Sequence, residues 1–466
     1  MPQMKLHLFI DSDDTFPGHA DVILPQAIVK KWRIALHGPV TLSCGSSAMD
    51  ARILYSRNNS PKLTVRLRQT VAHVLGIYSE CRMNIRYTPQ RRLLQFGPLL
   101  GILTDGIEKR TSHEQRFGGM TRFYTECHLS ADAHGIRMFV FSPEDLNVQK
   151  KQINGWTYLR GQWKQVPHPL PDVIYNRITS RRIEAQRSLQ QKLEILKRLH
   201  RVQLFNEQFL DKWQVHTALK NDPSVRFMLP ETHLYAKWTQ LKSLLRRYPV
   251  VYIKPAGGSL GQGVMRLTLT GTRCHMQYTT LNGTITRSNV SFQEIARHMA
   301  WRKRHYQYLI QQGLPLITSL GRSIDFRVLV QKNGQGKWSI TSIAGRIASN
   351  TNIVSNLARG GTIGTVSHIL KQVDPGQPKP TIPQLRQHAL AIAHAFERQI
   401  HGHFAELGID LAADKSGKIW LLEINSKPSK TDDSVTNPSN DIRPSVGKTM
   451  DYTCCITGFP QKARKK

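Results

Sequence analysis

The stretch GIDLAADKSGKIWLLEINSKPS (residues 408–429) reads as two strands, GIDLAAD and KIWLLEIN, joined by a turn around Lys415–Lys418. In the second strand Glu423 and Asn425 are two residues apart, so their side chains leave the same face. With a four-residue loop, the register places Asp410 directly opposite Glu423. Two carboxylates facing each other in an apolar hairpin repel and lose hydration unless a positive charge compensates them. Mg²⁺ meets that need, because it takes carboxylate and amide oxygens and keeps sites for phosphate. Asp410, Glu423 and Asn425 are therefore candidate metal ligands. A solvated surface hairpin is the competing reading, and the neighbours Ile409, Leu411, Ile419, Leu421, Leu422 and Ile424 argue against it.

About 150 residues upstream, VYIKPAGGSLGQGVMRL (251–267) ends an apolar run on Lys254 and opens a loop holding Gly257, Gly258, Ser259, Gly261 and Gly263. Glycines admit positive φ angles and let backbone N–H groups approach an anion, with Lys254 as counter-charge. Phosphate is the candidate ligand. A glycine-rich hairpin turn is the alternative.

The 466-residue chain is long enough for two or three domains with real cores, and 39% hydrophobic residues fit a folded protein. Its six cysteines form no CxxC pair, so neither a zinc site nor a disulfide framework is expected, and a reducing cytoplasm is the expected setting. The longest nearly apolar stretch, LLQFGPLLGILT (93–104), is too short to span a bilayer, so no membrane segment is expected. Sixty-five Lys and Arg against thirty-two Asp and Glu leave a formal +33, which favours an acidic partner or substrate. The basic residues are scattered and match no zinc-finger, RRM or basic-zipper pattern, so specific nucleic-acid binding is not expected.

Alternating segments KLTVRLR (62–68) and MNIRYTP (83–89) predict a β-rich domain over 1–95. Strand GPLLGILTD (97–105), helix RFYTECHLSADAHG (122–135) and strand IRMFVFSPED (136–145) predict a βαβ unit within an α/β domain over 96–204. A hairpin leads to the buried strand DVIYNRI, and one long basic helix is expected over 180–201. The helix ALAIAHAFERQI (389–400) precedes the carboxylate hairpin within a domain over 205–440, and 441–466 is left as a basic tail.

Lysine, glycine loop and carboxylate hairpin together resemble the ATP-grasp superfamily. Further phrases carry the resemblance. FNEQFLDKWQVHTAL (205–219) places Lys212 at the first nucleotide-binding lysine, and YLIQQGL (308–314) places Gln311 or Gln312 beside the nucleotide. SIDFRVLVQ (323–331) and TSIAGRIASN (341–350) supply Arg327 and Arg346 as phosphate-facing arginines. Asp325 is expected to stabilise its own strand pair. PLPDVIYNRI, VYIKPAGGSLGQGV, VSNLARGG (354–361) and LLEINSKPS resemble the YheC/YheD group within that superfamily, endospore coat-associated proteins. The resemblance covers roughly residues 96–430.

The resemblance implies an ATP-grasp fold of two α+β lobes around the nucleotide, preceded by the βαβ domain; the small β-rich domain over 1–95 lies outside it. It implies ATP and Mg²⁺ as cofactors and spore-coat association. It also implies a carboxylate–amine ligase working through an acyl-phosphate with ADP release, on unidentified carboxylate and amine substrates. Arg327 and Arg346 would neutralise charge on the transferred phosphoryl group. A structural coat protein that keeps the fold without turnover is the rival reading. A protein kinase is disfavoured by the missing HRDxxxxN and DFG motifs, and a Walker-type site by the missing GxxxxGK[ST].

Overall fold

The computed structural model describes residues 3–57, 64–108, 115–258, 262–280, 283–303, 306–349, 361–430 and 442–459. The chain divides into two compact units. The first holds residues 3–208, 332–337 and 442–459, and the second holds 209–331, 338–349 and 361–430.

In the first unit an eight-stranded sheet contains the two alternating segments as strands Thr64–Arg68 and Cys81–Thr88, each bonded to the central strand Gln3–Asp11. The predicted βαβ unit is present. Strands Leu99–Leu103 and Arg137–Phe141 pair in parallel, and helix Thr121–His134 joins them, closed by Gly135 in the left-handed region at φ 71°. Val173–Asn176 extends this parallel sheet and Gln203–Phe205 follows it. All five residues of Leu99–Leu103 are buried, as a parallel strand covered on both faces requires. One hydrophobic core runs from Leu6 through Phe96 to Leu204, so residues on both sides of position 95 share it.

The expected long basic helix is two. Arg181–Glu184 stops at Ala185, and Arg187–Arg198 begins after Gln186, which takes an extended conformation. Of the expected stripe of Leu189, Leu193, Leu196 and Leu199, the first three are buried, while Leu199 caps the helix and is 74% exposed. The segment left as a tail contains a 13-residue helix, Pro444–Ile456, that buries Val446, Met450 and Tyr452. Among the described residues no helix is long and apolar enough to cross a membrane.

The second unit has two sheets. Strands of the first run in the order Thr232–Leu234, Tyr308–Gln312, Val250–Pro255, Met265–Thr270, Arg273–Thr280 and Gly283–Val290. Leu241, Leu244 and Leu245 of helix Trp238–Arg247 and Ile295 of helix Phe292–Lys303 pack into its core. The second sheet runs Thr362–Thr365, Trp338–Ile347, Arg322–Lys332, Glu406–Ala413, Ile419–Asn425. Helix Ile382–Gln399 covers it with Leu385, Ala389, Ile392, Ala393 and Phe396, and a capping box at Thr381 and Gln384 starts that helix.

Candidate functional site

The hairpin of 408–429 forms, and Asp410 lies opposite Glu423. The route differs from the expected one. Ala413 pairs with Ile419, which leaves five residues in the turn, and a one-residue register shift between Asp410 and Leu411 restores the opposition. Asp414 organises the turn. Its Oδ1 accepts the N–H of Ser416 (2.8 Å) and Lys418 (3.0 Å), and its Oδ2 accepts the Trp420 indole N–H (2.8 Å).

Both carboxylates already hold cations. Arg327 sits opposite Asp410 in the next strand, and its Nε and Nη2 both donate to the Asp410 carboxylate, Nη2 at 3.1 Å. Arg346 Nη2 is 3.2 Å from Asp410 Oδ1, while its Nε donates to Asp325 Oδ1 at 2.5 Å. Two arginines and two aspartates thus form one buried network. Burial alone would raise Asp410, but Arg327 and Arg346 outweigh it and hold the carboxyl below its ordinary range. Burial keeps Asp325 above that range against the pull of Arg346. Glu423 faces Lys212, with Nζ to Oε1 at 3.3 Å. Asn425 stands opposite Gly408, and its side chain makes no hydrogen bond among the described residues.

On the other sheet Lys254 Nζ donates to Gln311 Oε1 at 2.6 Å, and Gln311 Nε2 donates to Thr232 Oγ1 at 2.9 Å. Burial brings Lys254 down to about 8, Lys212 adds to the fall, and Glu423 and Asp410 oppose it. Lys212 Nζ also donates to the carbonyl of Gly258. Lys212, Lys254, Gln311 and Glu423 line one cavity of about 50 Å³, with Val215, Leu229 and Ile424 among its apolar walls.

Other expectations fare differently. Gln312 points elsewhere: its Oε1 accepts the Glu231 N–H at 3.2 Å, and it does not line the cavity. Among the described loop glycines only Gly263 has a positive φ, 69°, so Gly257 and Gly258 need no left-handed backbone. Ser259 and Gly261 lie outside the described residues. Sequence reasoning missed His216 and Thr232, which also line the cavity. His216 was within reach, since it falls four residues after Lys212 and hence on the same face of helix Lys212–Lys220. Burial first, then Lys220, holds His216 at about 4, so it presents a neutral imidazole.

Chemically, the site offers two lysines and two arginines for phosphates, and two carboxylates with an amide for a hard cation. Among the described residues no group of three His, Cys, Asp or Glu is assembled for a metal. The donor set nevertheless fits Mg²⁺: oxygen atoms on adjoining strands, each carboxylate already drawing positive charge.

The family model YheC/D like ATP-grasp matches residues 201–456. The endospore coat-associated protein YheD of Bacillus subtilis (strain 168) is 32% identical over 390 residues, 83% of this chain and 84% of that protein. Endospore coat-associated protein YheC of the same organism is 24% identical, over 74% of this chain and 94% of that protein. Among solved structures, D-alanyl-alanine synthetase A of Vibrio cholerae O1 biovar eltor has a TM-score of 0.46 and 11% identity, over 77% of this chain and 99% of that chain. With its two mixed α+β sheets, its lysines and its carboxylate hairpin, the chain belongs to the YheC/D-like ATP-grasp family.

Proposed function

We propose that the second unit binds ATP with Mg²⁺ and joins a carboxylate to an amine. The observation that carries this reading is the convergence of Lys212, Lys254 and Gln311 with Glu423 on one cavity, beside the network of Asp410 with Arg327 and Arg346. Lys212 and Lys254 hold phosphate oxygens, exchanging the Gly258 carbonyl, Glu423 and the Gln311 amide for them. Gly257, Gly258 and Gly263 leave room for backbone N–H groups to approach. Asp410, Glu423 and Asn425 are the residues that would hold Mg²⁺, which when bound offsets charge on the phosphates.

In the reaction a substrate carboxylate oxygen attacks the γ-phosphorus and the bond to the β–γ bridging oxygen breaks, leaving ADP. The amine nitrogen then attacks the acyl carbon, phosphate departs with the C–O bonding pair, and the amine proton passes to water. Arg327 and Arg346 would neutralise charge on the transferred phosphoryl group. No protein nucleophile is required. The place of action is the endospore coat, in keeping with the names of the curated relatives.

The test is ADP release against a panel of amino acids and peptides, with and without Mg²⁺. Mg²⁺-dependent ADP release matched by a new C–N bond supports the ligase. Nucleotide binding with no turnover on any pair favours the second reading, a coat protein that retains the fold. That reading draws on the pairing of Asp410 with two arginines, which a metal must displace.

A further inference from the structure

The first unit holds a polar cavity of about 200 Å³ that includes Ser46, Asp172, His200, Arg201, Gln203 and Thr457 in its lining. Asp172 is fixed at the start of the parallel sheet. Its backbone N–H donates to the Leu99 carbonyl (3.0 Å), and its carbonyl accepts the Gln203 N–H (2.9 Å). Its Oδ2 accepts the Leu99 N–H at 2.8 Å. Its other oxygen, Oδ1, makes no hydrogen bond among the described residues. Burial pushes this carboxyl up to about 6, and the Leu99 N–H and the Arg86 charge only partly offset it. A half-buried carboxylate with an open oxygen gains most from a cationic hydrogen-bond donor.

The same cavity carries positive charge. Arg201 stands on its wall with its backbone in the left-handed region at φ 54°, next to His200. The Ser46 Oγ accepts the Leu170 N–H at 2.9 Å, which leaves its own hydrogen to donate. A simple cation entering here meets Asp172 but is repelled by Arg201, and a simple anion meets the reverse. A ligand bearing both charges satisfies both groups.

We propose that this cavity binds a small zwitterion of the α-amino acid class, its ammonium on Asp172 and its carboxylate on Arg201. The site lies wholly within the first unit and is independent of the nucleotide reading of the second.

The experiment is ligand-observed saturation-transfer NMR on the full chain, with L-alanine, L-lysine and L-glutamate as probes and methylamine and acetate as single-charge controls. We expect saturable binding of at least one amino acid, about tenfold or more tighter than either control. Asp172→Asn, which keeps an oxygen for the Leu99 N–H, should weaken it at least about tenfold, the loss of one charge-assisted hydrogen bond. Arg201→Gln should weaken the amino acid while tightening methylamine, which loses a repelling charge, and hydrogen exchange in the parallel strands checks that both variants fold. Three results overturn the assignment: no saturable amino-acid binding up to about 10 mM, a range of roughly 3 kcal/mol of affinity; methylamine or acetate binding as tightly; or indifference to both substitutions.

Discussion

Lys212 Nζ lies 3.3 Å from Glu423 Oε1, so a group suited to phosphate is bound to a group suited to metal. Arg327 and Arg346 repeat the arrangement on Asp410. Neither ligand alone can be accommodated cheaply. A metal without nucleotide meets three cations beside its carboxylates, and nucleotide without metal meets the carboxylates beside its phosphates. Bound together in the proposed site, they would exchange the partners and leave every charge paired. Each should therefore raise the affinity of the other by the same factor, about 5- to 150-fold for ordinary couplings. Electron paramagnetic resonance of Mn²⁺, titrated with and without ADP, measures the factor. Glu423→Gln should reduce it toward one, and independent binding in the unaltered protein refutes the exchange.

Lys254 is the second test, because its role depends on charge. Replacing it by alanine removes a charge-assisted hydrogen bond worth about 1.5–3 kcal/mol, so ATP affinity should fall about ten- to a hundredfold and adenosine affinity much less. In the proposed role the ammonium form binds phosphate, and burial brings its pKa down to about 8. Nucleotide affinity should thus be full below pH 8 and decline as pH rises through it. Lys254→Arg, which stays charged, should flatten that decline in a titration of ADP binding. Equal losses for ATP and adenosine in the alanine variant would mark a structural lysine.

Local patterns carried most of this architecture. Alternation marked Thr64–Arg68 and Cys81–Thr88, and the strand–helix–strand order marked the parallel pair, because period and connection length are properties of contiguous residues. Asp410 came out opposite Glu423 even though the turn is one residue longer than counted, since the register shift offsets it. Neither the longer turn nor the shift has a mark in the apolar pattern. The partners of the charges were not legible either. Arg346 lies 21 residues from Asp325 and 64 from Asp410, and sheet order alone brings these groups together. Gln311 and Gln312 were indistinguishable as neighbours in one strand. Only the position of Thr232 and Lys254 on one face selects Gln311.

The pair of Arg346 and Asp325 gives a stability prediction. Their side chains are 6% and 5% exposed, so removing one partner leaves a charge in a dry setting. Arg346→Gln should destabilise the second unit by about 3–5 kcal/mol, the range for breaking a buried pair. Adding Asp325→Asn removes the stranded carboxylate and should recover much of the loss. Denaturant unfolding of the single and double variants measures this coupling. Additive losses would mean that the pair does not act as a unit.

His168 predicts acid sensitivity in the first unit. The ring is buried, stacks on Phe139 at 4.3 Å between centroids, and shares a 2.8 Å hydrogen bond between Nε2 and Thr157 Oγ1. Its Nδ1 has no hydrogen-bond partner among the described residues, so a proton placed there would be buried without an acceptor. Burial first, then Arg137, lowers its pKa from 6.5 to about 3. The unfolded chain therefore takes up this proton as pH falls through 6.5, while the folded chain stays neutral down to about 3. Stability rises with pH across that window and is lost as pH falls through it, by about 2–4 kcal/mol from this one group. His168→Gln keeps a polar group for Thr157 but cannot be protonated, so it should remove that part of the slope. Hydrogen exchange of the amides in Arg137–Phe141 and Gln152–Leu159, followed from pH 7 to about 4, reports the first unit alone. Parallel slopes for the two proteins would place the acid sensitivity elsewhere.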